Sequence, residues 1–257
     1  MLALTVMQQS LFALDFDGVI CDSAIETGLS GWQVASHIWP DMPTQMPEHI
    51  ISNFRLVRPV METGFEAILI CRLLFEGKPT ALLIDDFAKQ IEFILLRDNL
   101  SVANLKKQFG EYRDNWIKTD LPGWIKMNPL YPGVTDFLQK IPLQQRFVIT
   151  TKQERFVTEI LSANRIEILP QQIYGLDRQL KKPQILEDLQ RLHPATTIFF
   201  VEDRLPTLLD VSQTPSLSAV KLFFANWGYN TAADKQQAMQ HPRITTLGTP
   251  SLHNLTH

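Results

Sequence analysis

The sequence predicts a three-layer α/β fold: a doubly wound parallel sheet between helices, with an all-α domain inserted into it. Along the second half of the chain, short apolar runs alternate with amphipathic helical patterns, which is typical of such sheets. Three apolar runs end abruptly in acidic or hydroxyl side chains, as buried strands do at an edge that binds ligands. The first two of these runs are separated by more residues than one crossover needs, which indicates an insertion.

The elements of the sheet domain follow one another in a regular order. The first strand covers residues 11–14, and a short helix begins at Val134 after Pro132-Gly133. Strand and helix patterns then alternate at 146–150, 153–163, 183–192, 197–201, 205–211, 219–224 and 231–240. Because a helix between two strands allows them to pair in parallel, the alternation predicts one sheet built from βα units.

The inserted segment is predicted to be helical. Prolines divide the insert, and apolar side chains recur in it at helical spacing. A helix near residue 70 is predicted by Phe65, Ile68, Leu69 and Leu73. A long amphipathic helix that follows it is predicted by Leu83, Phe87, Ile91, Ile94 and Leu95.

The composition excludes several kinds of partner. With 24 basic and 27 acidic residues and a pI near 6.1, the chain has no basic footprint for nucleic acid. Cys21 and Cys71 match no metal-ligand spacing, so we interpret them as reduced thiols. The N-terminus lacks the basic start of a signal peptide, and no apolar run is long enough to span a bilayer. We therefore expect a cytoplasmic protein that does not contact membranes.

The first strand leads directly into Asp15-Phe16-Asp17-Gly18-Val19. Two carboxylates two residues apart thus stand at a strand end, and Gly18 allows a sharp turn that exposes backbone N–H groups to a ligand. A calcium-binding EF-hand loop is excluded, because it needs a third oxygen ligand before its glycine and a glutamate at its end.

Three further motifs follow in order. The strand at 146–150 ends in Thr150, Lys182 opens a helix within Lys181-Lys182-Pro183, and the strand at 197–201 ends in Glu202 and Asp203. Each residue alone has an ordinary explanation: Thr150 suits a helix N-cap, and Lys182 suits a solvated surface. Taken together, the four motifs resemble those of the haloacid-dehalogenase-like (HAD) phosphohydrolases. The insert is similar in position to the helical cap of the phosphoglycolate phosphatase and β-phosphoglucomutase type. This resemblance implies a cap domain over residues 25–125 and a core domain made of residues 1–24 and 126–257.

The resemblance implies a Rossmann-like core that hydrolyses a phosphomonoester through an aspartyl-phosphate. Asp15 would be the nucleophile, and Asp17 would protonate the leaving alcohol and then accept a proton from water. Thr150 would donate its hydroxyl to the phosphoryl group, and Lys182 would hold that group as a positive charge. A carboxylate can attack an anionic ester only where positive charge gathers the phosphoryl oxygens, which explains these residue types.

The resemblance also implies Mg²⁺ as the cofactor. Its ligands would be the Asp15 carboxylate, the Asp17 backbone carbonyl and Asp203, with Glu202 adjoining. These are oxygen ligands of the kind that Mg²⁺ prefers.

Other residues are predicted to bind the substrate. Gly18 and Thr151 lie beside the motifs and would contribute phosphate-binding donors. Arg55 and Arg58 are three residues apart on one helical face of the insert and could bind a carboxylate or a second phosphate. A solvated cationic face, or an ion pair with Glu62, is the alternative explanation of the two arginines, and we slightly favour it.

Some positions depart from the family pattern or leave alternatives open. Val19 replaces the more usual Thr, and no acid follows Asp203 at a distance of four residues. Asp17 argues against a dehalogenase, which needs no acid–base residue there. Trp227-Gly228-Tyr229 is similar to phosphoglycolate-phosphatase-like members, and we interpret it as a turn packed by aromatic side chains.

A phosphomutase of the β-phosphoglucomutase type and a non-catalytic binding module remain the alternatives to a phosphatase. We expect a small soluble phosphate ester as the substrate and a monomer or homodimer.

Overall fold

A computed structural model describes residues 10–248 and Leu255. Within these residues, six strands form one sheet in which every pairing is parallel. The strands are β1 (Ser10–Leu14), β2 (Arg146–Ile149), β3 (Ile173–Tyr174), β4 (Thr197–Glu202), β5 (Lys221–Ala225) and β6 (Ile244–Leu247). Their order across the sheet is β3-β2-β1-β4-β5-β6, so the strand order reverses beside β1. Ligands of open α/β sheets bind outside the carboxyl ends of the strands at such a reversal.

The described helices fall into two groups along the chain. Between β1 and β2 lie α1 (Ala24–Ile38), α2 (Glu48–Val57), α3 (Glu66–Phe75), α4 (Thr80–Asp85), α5 (Phe87–Arg97), α6 (Val102–Lys126) and α7 (Val134–Lys140). The later helices alternate with strands: α8 (Glu154–Ala163), α9 (Lys182–Leu192), α10 (Leu205–Gln213) and α11 (Ala232–Gln240).

The central strand β1 shows why helices cover both faces of the sheet. Its side chains are buried along the whole strand, and successive side chains of a strand point to opposite faces. Leu11 and Ala13 belong to an apolar cluster that includes α9 and α10. Phe12, on the other face, meets Phe137 of α7 edge to face at 5.8 Å and stacks on Phe199 of β4 at 5.3 Å. The predicted doubly wound parallel sheet is therefore confirmed.

The chain divides into two compact units, one of Met1–Asp22 with Leu130–His257 and one of Ser23–Pro129. The second, the helical unit, has its own core, in which Trp32 and Ile68 are fully buried. Glu26 of α1 forms a buried ion pair with Arg113 of α6 and also accepts hydrogen bonds from Ser30 and Trp124. Among the described residues, no helix is both long and apolar enough to cross a membrane.

The structure differs from the sequence expectations in three places. The single long helix predicted around Leu83 and Ile94 is wrong: α4 and α5 are separated at Asp86, whose φ of −132° and ψ of 33° are not helical. Strands β3 and β6 were not predicted, because runs of two and four residues carry too little periodicity to identify. The boundaries of the two units lie at 22/23 and 129/130 rather than at 24/25 and 125/126.

Candidate active site

The loop after β1 places two carboxylates at the carboxyl end of the central strand. The Asp15 N–H donates to the Val201 carbonyl at 2.9 Å, which continues the pairing with β4. Gly18 then adopts a φ of +92°, a left-handed conformation that favours glycine. A Cβ atom at Gly18 would lie 1.9 Å from Asp203 Oδ2, so the close approach of loop and acid also requires glycine.

Lys182 joins Asp15 to the acid at the end of β4. Its Nζ lies 2.9 Å from Asp15 Oδ1 and 2.6 Å from Glu202 Oε2. Glu202 is fully buried, and its second oxygen accepts a hydrogen bond from the Arg204 N–H at 3.0 Å. Lys182 stands at the start of α9, where Pro183 fixes the first turn. The ammonium group is thereby held between two carboxylates.

Burial and charge act against each other on this pair. Burial raises the pKa of Asp15 to about 7, and the neighbouring ammonium of Lys182 opposes that rise. Burial alone would lower the pKa of Lys182, but Asp15 and Glu202 outweigh it and raise that pKa above its ordinary value. Lys182 is therefore positively charged, and a divalent cation bound beside Asp15 would lower the pKa of the carboxyl again.

The end of β2 contributes a hydroxyl and a second ammonium group. Thr150 is buried directly after the strand, and its Oγ1 accepts a hydrogen bond from the Lys152 N–H at 3.1 Å. The Lys152 Nζ lies 3.0 Å from Asp17 Oδ1. Thr151 lies half-buried between these two residues. The structure thus brings Thr150, Lys152 and the loop after β1 to the same edge of the sheet.

The turn after β5 holds the carboxylate of Asp203. The Tyr229 N–H donates to Asp203 Oδ2 at 2.6 Å, and the Tyr229 hydroxyl donates to Asp22 Oδ1 at 2.9 Å. A Cβ atom at Gly228 would lie 2.4 Å from both the Gly18 carbonyl oxygen and the Asp203 Cβ, so the turn packs directly against the first loop. It does more than bury aromatic rings, because it fixes the orientation of an acid.

The acidic residues at this edge fit a divalent cation. Asp15, Glu202 and Asp203 each offer an oxygen, and these atoms lie within 4.8 Å of one another. Both Glu202 oxygens already contact protein donors, which suits a residue adjoining a metal more than a primary ligand. Counting Asp17 as well, the described carboxylates here outnumber the ammonium groups of the site's two lysines. A cation with oxygen preference, such as Mg²⁺, would balance that charge.

The two arginines predicted to bind substrate lie in the helical unit. Arg55 is exposed near the end of α2, and Arg58 is half-buried in the 3-10 turn that follows. Arg55 lines a small cavity of that unit together with Ile51 and Phe54. That Arg55 and Arg58 bind the substrate stays a prediction.

Lys152 and Tyr229 were not predicted to belong to the site. Both follow the carboxyl end of a strand by a few residues, Lys152 after β2 and Tyr229 after β5. That position at the ligand-binding edge is the signal that could have identified them. Their partners, Asp17 and Asp203, lie 135 and 26 residues away in the sequence, so no local pattern reveals the contacts.

Similarity to solved structures extends over nearly the whole chain. A predicted phosphoglycolate phosphatase from Haemophilus somnus 129PT is 18% identical with a TM-score of 0.60, covering 97% of this chain and 99% of that one. A predicted phosphatase from Clostridium acetobutylicum is 14% identical with a TM-score of 0.56, covering 96% and 97%. A haloacid dehalogenase-like hydrolase from Streptococcus pneumoniae is 16% identical with a TM-score of 0.53, covering 97% and 98%.

Sequence comparison is silent by contrast: no protein-family model and no curated protein matches this chain. Related proteins can keep a common fold after their sequences have diverged. Structural similarity over nearly the full length of both chains, at such low sequence identity, is therefore evidence about the fold. The resemblance inferred from the four motifs is confirmed at that level: this chain has the fold of the haloacid-dehalogenase-like hydrolases.

Proposed function

We propose that this protein is a Mg²⁺-dependent phosphatase that hydrolyses a small soluble phosphomonoester. The observation that carries the proposal is the ammonium of Lys182 at 2.9 Å from the Asp15 carboxylate, with Asp203 completing an acidic cluster beside them. A nucleophilic carboxylate can approach an anionic phosphoryl group only where fixed positive charge is at hand. Similar structures that are described as predicted phosphatases support the same reaction class.

In the first half of the proposed reaction, an Asp15 oxygen forms a bond to phosphorus while the bond to the leaving oxygen breaks. Lys182 and the Thr150 hydroxyl contact the phosphoryl oxygens and stabilise the charge that develops on them. Asp17 donates its proton to the leaving oxygen, which departs as an alcohol. The product is an aspartyl-phosphate on Asp15.

In the second half, Asp17 is ionised and accepts a proton from water. The water oxygen forms the new bond to phosphorus, and the bond to Asp15 breaks, which regenerates the free carboxylate. Asp15, the Asp17 carbonyl and Asp203 would hold Mg²⁺, with Glu202 adjoining. When bound, the ion supplies positive charge that draws the anionic ester toward the nucleophile.

The reaction class is tested with 4-nitrophenyl phosphate in the presence of Mg²⁺. Release of nitrophenolate would support the proposal, provided that acid quenching also traps one phosphate per enzyme on the peptide that contains Asp15. Turnover only with a sugar phosphate and its bisphosphate would identify a phosphomutase instead. Absence of turnover with a panel of phosphorylated metabolites would contradict an enzymatic role.

Metal removal should abolish the activity. Treatment with EDTA should stop phosphate release, and added Mg²⁺ should restore it, because the acidic cluster otherwise repels the substrate. Asp203→Asn keeps an oxygen that can accept the Tyr229 N–H but loses the charge, so we expect the Kd for Mg²⁺ to rise roughly 10- to 100-fold by calorimetry. Asp210→Asn, at an exposed acid of α10, is the matched control. Full activity of a metal-stripped sample would contradict the metal requirement.

Arg58 should recognise a second anionic group of the substrate. Arg58→Ala should raise KM for 2-phosphoglycolate, which carries a carboxylate, by roughly 10-fold, because a charge-assisted hydrogen bond is lost. The KM for 4-nitrophenyl phosphate, whose tail is neutral, should stay unchanged. Lys107→Ala removes an exposed cation of the same unit and serves as the control. Equal losses on both esters would show that Arg58 has a structural role.

A further inference from the structure

Lys152 is a buried cation that the proposed mechanism leaves without a task. Its side chain is 1% exposed, and its Nζ lies 3.0 Å from Asp17 Oδ1 and 5.9 Å from the centre of the Phe16 ring. An ammonium taken out of water is costly unless a counter-charge and hydrogen bonds compensate it. The carboxylate of Asp17 provides that compensation, so the two groups are tied to each other.

The backbone of Lys152 is fixed from two sides. Its N–H donates to Thr150 Oγ1 at 3.1 Å, and its carbonyl accepts a hydrogen bond from the Leu176 N–H at 3.0 Å. Two residues further on, the Glu154 N–H donates to Asp177 Oδ2 at 3.0 Å, which ties the same segment to the loop after β3. A side chain that extends from so constrained a backbone can define the position of its partner.

Asp17 needs such a constraint. Its side chain is 16% exposed and stands on a loop, where a carboxylate joined by two single bonds can take several orientations. An acid–base group acts only when its oxygen lies within hydrogen-bond reach of the reacting atom. Contact with the buried ammonium of Lys152 restrains the position of Asp17 Oδ1.

We propose that Lys152 is a positioning residue that orients Asp17, so that the proton of the reaction is exchanged at Oδ2. The inference rests on the proposed function. Lys152 and Lys182 then have separate tasks: Lys182 contacts Asp15 and Glu202 and serves the phosphoryl group, whereas Lys152 contacts Asp17 and serves the leaving group. When the ester is bound, Asp17 carries a proton on Oδ2 while Oδ1 still accepts the hydrogen bond from Lys152. As the bond from phosphorus to the leaving oxygen breaks, that oxygen takes the proton from Oδ2.

The test compares two aryl esters of similar shape whose leaving groups differ in their need for a proton. Lys152→Met keeps the length of the side chain and removes its charge. In acid-quenched single turnovers with Mg²⁺, this variant should form the phosphoenzyme from phenyl phosphate roughly 10- to 100-fold more slowly than the wild type, the effect of a misplaced general acid. With 4-nitrophenyl phosphate, whose leaving group departs unprotonated, the loss should be less than about threefold.

Three controls separate positioning from a general loss of structure. Lys152→Arg keeps the charge and should recover most of the rate with phenyl phosphate. Lys140→Met removes an exposed lysine of α7 and should change neither rate. In an Asp17→Asn background, Lys152→Met should not change the ratio of the rates at which the two esters form the phosphoenzyme. Asp17, the group that Lys152 positions, is already inactive in that background. Equal losses on both esters in the single variant would overturn the inference.

Crystallography gives a readout that does not depend on turnover. The Asp17 carboxylate should hold one orientation in the wild type and several in Lys152→Met. A carboxylate that keeps its orientation in the variant would overturn the positioning role even if the protein is a phosphatase. If the wild type forms no phosphoenzyme from any ester, the proposed function is wrong. The catalytic role of Lys152 is then wrong as well, whatever the orientation of Asp17.

Discussion

Asp15→Asn should abolish phosphatase activity and leave no covalent intermediate. The amide oxygen that replaces the carboxylate is a poor nucleophile, and the charge that pairs with Lys182 at 2.9 Å is lost as well. We expect a fall in kcat of at least about 10⁴-fold, the scale observed when a catalytic nucleophile is removed. Acid quenching followed by mass spectrometry of the peptide containing Asp15 measures the intermediate directly.

Asp210→Asn is the control for this experiment, since it makes the same chemical change at an exposed acid. Its turnover and its phosphoenzyme level should equal those of the wild type. Normal turnover by Asp15→Asn, or a phosphate bound to another residue of the wild type, would contradict the assignment of the nucleophile.

Asp17→Asn should slow both halves of the reaction without removing the nucleophile. The loss of a general acid–base group should lower kcat roughly 10²- to 10⁴-fold. With 4-nitrophenyl phosphate, formation of the aspartyl-phosphate should recover while its hydrolysis stays slow, so the phosphoenzyme should accumulate. Mg²⁺ binding should be spared, because the backbone carbonyl of Asp17 is the expected ligand.

The buried contact with Lys152 calls for a stability control on this variant. Asp17→Asn leaves an ammonium whose side chain is 1% exposed without its carboxylate, which is costly in a protein interior. The Tm of Asp17→Asn should therefore fall, and Lys152→Met added to it should restore much of the loss. If the phosphoenzyme fails to accumulate in a double variant that is as stable as the wild type, Asp17 does not serve the second half of the reaction.

The main features of the sheet were predictable because they depend on local sequence. Apolar runs as short as residues 11–14 and 197–201 suit buried strands better than helices, so the charged residues that follow them are expected at a strand end. This local rule places Asp15, Thr150 and Asp203 at the ligand-binding edge. Lys182 was found through the order of the motifs, since a lone lysine before a proline carries little information.

Other features depend on contacts between distant segments. The break at Asp86 interrupts an apolar pattern that is regular on both sides, so periodicity alone predicted one helix where two exist. Strands β3 and β6 are short and lie at the two edges of the sheet, where pairing with β2 and β5 rather than their own sequence defines them.

The sequence by itself determined the fold class and the identity of the acids and hydroxyl at the carboxyl ends of the strands, because hydrophobic periodicity and the end of an apolar run are local properties. Only the tertiary structure decided which of these groups touch: Lys182 between Asp15 and Glu202, Lys152 on Asp17, and the Tyr229 N–H on Asp203. Those pairings depend on the order of the strands in the sheet, which brings residues far apart in the chain within hydrogen-bond distance and which no local pattern encodes.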